Sequence, residues 1–138
     1  MKRTMLGLAA ALFVTGATMS AAFAADPAMS ADSSLGKILV DAKGMTLYTH
    51  DADTKGAAKS ACADKCIVAW PPFVAPADAK AEGKWTIVDA VDKDGKAEKI
   101  WAYDGWPLYY FVKDAKTGDV KGNGVNAFGG PWHVVKAQ

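Results

Sequence analysis

The side chains best suited to chemistry are few and fall at suggestive spacings. Two carboxylates, Asp53 and Asp114, each follow a tyrosine by five residues, giving Tyr48-x-His50-x-x-Asp53 and Tyr109-x-Phe111-x-x-Asp114. Two histidines, His50 and His133, are the only imidazoles in the chain, and Cys62 and Cys66 are the only thiols. A pair of carboxylates can serve as general acid and base, but only at a separation that the fold must set, and nothing in the sequence sets it. Imidazole and thiolate, with a methionine, would suit copper or zinc. That makes His50 and His133 the candidate metal ligands. No nucleophile elbow or histidine-rich zinc-protease motif is present, and the reading favours a non-enzymatic protein with no cofactor.

The bland alternatives stand beside these. Alternation along a strand puts Tyr109 and Phe111 on one face, and Asp114 at the strand end would cap the following turn. Asp51-Ala52-Asp53-Thr54-Lys55-Gly56 opens like a calcium loop, but Cys62 occupies the twelfth position where a bidentate glutamate is needed. Gly122-x-Gly124-x-x-Ala127 fits a dinucleotide loop superficially, yet Gly129-Gly130-Pro131 follows where a helix is required. The chain holds five tryptophans, and their large burial energy assigns most of them to the core. Trp106, beside the Asp104-Gly105 turn, could be exposed to a sugar or a partner, but core or satellite packing is the favoured reading.

The elements that must position these residues are mostly strands. Residues 37–50 read as a β-hairpin turning at Asp41-Ala42-Lys43-Gly44. Ala57 to Val68, rich in alanine and lysine, reads as a helix stopped by Trp70-Pro71-Pro72. Residues 85–91, 99–103, 108–112 and 132–135 read as strands, with turns at Asp92-Lys93-Asp94-Gly95 and Asp104-Gly105. The expected fold is mainly β, a small antiparallel sheet with one short helix.

Within that order there is an internal repeat. The segment from Lys37-Ile38 through Leu47-Tyr48 to Asp53 matches that from Lys99-Ile100 through Leu108-Tyr109 to Asp114, with one residue deleted before the second tyrosine. The Leu-Tyr pairs lie 61 residues apart. A hairpin-like unit used twice, pairing within one sheet, is the expected architecture.

The ends of the chain speak to its compartment. Lys2-Arg3, an apolar run from Met5 to Val14 and the small-x-small triplet Ala22-Phe23-Ala24 form the pattern of a signal peptide cut after Ala24. The run is short for a membrane span. Removal of residues 1–24 leaves 114 residues with 14 basic and 15 acidic side chains, a balance without long-range attraction for nucleic acid. Residues 25–35 read as a disordered leader and residues 36–138 as a single domain. No cysteine near the cut offers a lipid-attachment site.

In an exported chain the close pair Cys62 and Cys66 reads as a structural disulfide, with a redox-active pair as the alternative. Four residues apart on a helix, their Cα atoms would sit about 6 Å apart, within disulfide range. The loop closed is small, so the bridge would add only about 2 kcal/mol.

The two Tyr-x-aromatic-x-x-Asp units resemble the motif of a bacterial family of secreted repeats, or predicted lipoproteins, of unknown function. The first unit carries His50 in the aromatic slot. The cysteine pair running into Trp70-Pro71-Pro72 is similar to that family too, as is the ending Gly124 to Gly130 with Trp132-His133-Val134-Val135. The resemblance implies an extracytoplasmic β-rich domain and no agreed activity. Together these readings give an exported periplasmic or secreted module with a binding or structural role. Its partner would be an envelope protein or small ligand, and the alternative is a copper, zinc or redox protein.

Overall fold

A computed structural model describes Gly16 and residues 25–138. The signal-peptide reading lies outside the described residues. Among the described residues eight strands and one helix follow in order: β1 Met29–Ser33, β2 Gly36–Val40, β3 Tyr48–His50, α1 Lys65–Ala69, β4 Trp85–Val91, β5 Ala97–Tyr103, β6 Trp106–Pro107, β7 Asn126–Ala127 and β8 Gly130–Val134. They form three small antiparallel sheets, ordered β1-β2, β3-β8-β7 and β4-β5-β6. The fold is mainly β, as the alternating patterns require. Among the described residues no helix is long and apolar enough to cross a membrane.

Each repeat opens on a hairpin, β1-β2 in the first and β4-β5 in the second, and then turns back on itself. Val40 bridges Thr46 after the Asp41 turn, and Ala102 pairs with Pro107 after the Asp104-Gly105 turn. Asp104 and Gly105 both have positive φ, 50° and 85°, as a two-residue turn matching the twist of its strands requires. A side chain on Gly105 would also press within 2.9 Å of the Gly56 amide nitrogen.

The repeats then interlock. Tyr48 and Tyr109 exchange both backbone hydrogen bonds, at 2.8 and 3.0 Å, in an antiparallel bridge between the halves. Residues that follow Trp132 pair with the first repeat, since Leu39 N–H donates to Val135 O and Ile38 bridges Lys136. Residues that follow Trp70 pair with the second, since Trp101 N–H donates to Phe73 O and Ile100 bridges Val74. Each half is thus finished by bridge-forming residues of the other. Ile38, Val40, Ile100, Ala102, Trp70 and Trp132 are all buried in the core so enclosed.

Five expectations differ from the structure, through tertiary competition for backbone groups. Ala57 to Val68 is not one helix: only Lys65–Ala69 is helical. Upstream, Ser60 N–H and Ala58 O pair with Asp89, Ala61 N–H donates to Asp53, and Asp64 has a φ of 53°. These partners hold the segment extended. Residues 108–112 do not form one strand either. Their amides go in turn to Trp101, Tyr48, Pro71 and Ala69, so the segment is stitched to several neighbours rather than one. Residues 37–50 close a turn at Asp41 but do not continue as a hairpin, because β3 leaves β2 and pairs with β8. Residues 25–35 include an ordered strand, β1, held to β2 from Met29 opposite Val40 to Ser33 opposite Gly36. Finally, β7 was not expected, and Gly130 and Pro131 open β8 instead of merely ending a loop.

Candidate functional site

The motif residues converge at the junction of the halves. Tyr48 Oη donates to Asp114 Oδ2 at 2.6 Å, and Tyr109 Oη donates to Asp53 Oδ2 at 2.8 Å. Each tyrosine therefore bonds the aspartate of the other repeat, not its own. The second oxygen of each carboxylate is taken by a backbone amide, Ala61 N–H on Asp53 Oδ1 and Lys121 N–H on Asp114 Oδ1. Alternation in two facing strands explains the crossing. The tyrosines meet at the bridge, and each side chain runs outward past it toward the turn that ends its neighbour's motif.

Burial sets the electrostatics. Both tyrosines are fully buried and both carboxylates nearly so. Desolvation raises Tyr48 and Tyr109 well above the ordinary phenol range, reinforced for each by its aspartate. Burial also pushes Asp53 and Asp114 up, opposed by the amide and tyrosine hydrogen bonds that favour the ionised form. Both oxygens of each carboxylate are engaged inside the fold. The arrangement fixes two turns and the repeat interface.

Around this lies a stack of four rings. Phe111 lies on Trp70 with centroids 4.1 Å apart, Trp70 on Trp132 at 3.9 Å, and Trp132 on His50 at 3.9 Å. The two indole planes differ by 2°. Phe111 and His50 hold the same slot in the two motifs, and Trp70 and Trp132 close the two repeats, so the stack has the symmetry of the repeat. Tyr48 meets Trp70 edge-on and Tyr109 meets Trp132 edge-on, at 5.4 and 5.2 Å. Such pairs add about 0.5–1.5 kcal/mol each beyond their burial. Pro71 and Pro72 carry the chain away from Trp70, with Pro71 O accepting from Tyr110 N–H.

The two histidines are not brought together. His50 pairs with Trp132 and His133 with Thr49, one residue apart in the register, so they point to opposite faces of the sheet. His50 is 1% exposed and its Nε2 lies 3.0 Å from Ala127 O, so this nitrogen carries the proton. Its Nδ1 is buried without a hydrogen-bond partner among the described residues. His133 faces solvent, 3.1 Å from Asp51. The thiols are joined in a Cys62–Cys66 disulfide with Cα atoms 5.4 Å apart, which withholds both as thiolates. No group of three metal-ligating side chains gathers among the described residues.

Several participants were not legible in the motifs. Ser60 Oγ contacts Tyr109 Oη and accepts from Cys62 N–H, whereas in the other half Gly122 N–H donates to Tyr48 Oη directly at 3.2 Å. Gly122 must lack a side chain, because a Cβ there would lie 2.8 Å from both the Trp70 and Tyr48 rings. A third pair joins Tyr110 Oη to Asp41 Oδ2 at 2.8 Å, and burial together with Asp41 raises that tyrosine also. The Asp-x-x-Gly turn at Asp41 was the one signal that a carboxylate stood there. Trp106 is half-buried in β6.

A family profile described as a secreted repeat of unknown function matches residues 29–74 and 90–136. The chain belongs to this secreted-repeat family. The first matched stretch spans β1 to Val74, and the second opens at the end of β4 and runs through β5 to Lys136, so two repeats correspond to two interlocked halves. Searches of curated proteins and of solved structures gave no match. In this secreted repeat, Tyr48, Tyr109, Asp53, Asp114, Trp70 and Trp132 are groups that hold one half to the other.

Proposed function

We propose that the chain is an exported periplasmic module with a non-enzymatic binding or structural role in the cell envelope. The crossed Tyr48–Asp114 and Tyr109–Asp53 hydrogen bonds carry this reading. They engage the motif's reactive groups in joining the repeats, which leaves the outer surface for partners. The N-terminal pattern ending at Ala22-Phe23-Ala24, the description of the family as secreted and the disulfide all support export.

The test has two parts. N-terminal sequencing of the chain from a periplasmic fraction should begin at Ala25. Asp53→Asn and Asp114→Asn should each lower the melting temperature, while retention of the folded protein on isolated envelope stays unchanged at a temperature well below melting. Turnover of an ester or glycoside that disappears in a folded Asp114→Asn variant would overturn the non-enzymatic reading.

A further inference from the structure

One edge of the molecule breaks the repeat symmetry. Ile38 and Ile100 are equivalent; Lys136 bridges the first and Val74 the second, so Lys136 and Val74 hold the same position. Lys136 reaches along the edge of β2, and its ammonium meets the carbonyl of Leu35 beside Gly36. At the corresponding edge of β5 the lysine is missing. Val74 stands there 52% exposed, and Glu98 occupies the place of Gly36, two residues before the isoleucine.

A groove of about 330 Å³ lies on this flank, its apolar lining including Val68, Pro71, Pro72 and Val74. Val68 is itself 61% exposed. Asp92, Lys93 and Glu98 are its charged lining. Lys93 is drawn to Asp94 at 2.9 Å. Asp92 Oδ1 is held by the Lys96 and Asp94 amides, which together with the nearby Lys93 and Lys96 charges keep its carboxyl below the usual range. Glu98 is pushed upward, first by burial and then by Asp92. The lining thus holds two neighbouring carboxylates, one of them with Lys93 nearby, beside apolar side chains, on the flank where the other half carries its own ammonium.

We propose that this groove binds a lysine side chain of a partner polypeptide, laid along the edge as Lys136 is laid in the other half. The proposal rests on the binding reading given above and names its partner's chemistry. The four methylenes would cover Val68 and Val74 while the ammonium reaches Glu98 and Asp92. Side-chain capture fits better than strand addition here, because Pro71 and Pro72 offer no N–H to an incoming strand. The volume lies at the low end for ligand pockets, which suits one side chain rather than a bulky organic body.

The experiment is an NMR titration of the mature chain with acetyl-Val-Lys-Val-amide, with the same peptide carrying norleucine as control. The lysine peptide should shift the amides of Val68, Val74 and Glu98 saturably, and the norleucine peptide should bind about tenfold more weakly. Added salt and Glu98→Gln should each weaken the lysine peptide about fivefold. Val74→Lys, which restores the residue found in the other half, should abolish binding and leave the remaining spectrum unchanged. Equal binding of both peptides, or undiminished binding to Val74→Lys, would overturn the proposal. If the peptide fails but the mature chain still sediments with isolated envelope, only the groove is lost. If neither peptide nor envelope retains it, the binding reading falls as well.

Discussion

After its aspartate, the first repeat runs through a serine, a disulfide and a five-residue helix to reach Trp70. The second runs through Gly122 and the β7-β8 hairpin to reach Trp132. Both routes deliver a tryptophan to the same stack and an amide to the same kind of carboxylate. The amide that caps Asp53 comes from Ala61, eight residues on, and the one that caps Asp114 comes from Lys121, seven residues on. Where the extra residue enters, Ser60 stands between Tyr109 and the backbone, and the disulfide follows. Where it is absent, glycine lets the backbone touch Tyr48 and Trp70 directly. The endpoints are held by contacts between halves, whereas the routes between them can differ as long as their own backbone groups are satisfied.

The comparison can be broken most severely at the shared stack. Trp70→Ala and Trp132→Ala should each cost about 3–5 kcal/mol in urea unfolding, because each removes a ring packed on both faces. Similar losses would mean the halves depend on each other equally. A gap of about 2 kcal/mol or more would mark one half as dominant.

Next come the crossed pairs. Tyr48→Phe and Tyr109→Phe each leave a buried carboxylate without its hydroxyl donor, and each should cost about 1–3 kcal/mol. Their signature is alkaline. The folded phenols are raised above their ordinary value of 10.0, so their contribution is fully present below pH 10 and declines as pH rises beyond it. Above that point stability should fall by about 1.4 kcal/mol per pH unit for each tyrosine. Each Phe variant should flatten the slope by one such step, read from unfolding midpoints between neutral and strongly alkaline pH. An unchanged slope in one variant would show that its tyrosine is not protected as its counterpart is.

The differing routes give smaller and one-sided effects. Gly122→Ala crowds Trp70 and Tyr48 and should cost about 1–3 kcal/mol. The double variant Cys62→Ser with Cys66→Ser should cost about 2 kcal/mol, as should reduction of the wild type. Ser60→Ala should cost about 1 kcal/mol and act only on the Tyr109 side. Combining Ser60→Ala with Tyr109→Phe should give less than the sum of the two, whereas combining it with Tyr48→Phe should be additive.

Much of this was legible beforehand. An apolar, β-branched run located β4 at Trp85–Val91, a second run located most of β5, and the Asp104-Gly105 dipeptide located the turn after it, because these features depend on neighbours in sequence. The repeat was visible as a recurrence of Leu-Tyr and Asp. The helix was overextended because alanine and lysine favour helix locally, while Asp89 and Asp53 claim those backbone groups from a distance. The segment 108–112 carried a strand's composition without a strand's single partner.

By itself the sequence determined the β class, the twofold repetition, the cysteine pair and the identity of the motif side chains. These are encoded in composition, period and short-range spacing. Only the tertiary structure decided that each tyrosine serves the other repeat's aspartate, that His50 and His133 face opposite ways, and that Val74 and Lys136 are counterparts. Partner choice across a bridge depends on which strands meet and in what register, and one residue of register reverses every side chain.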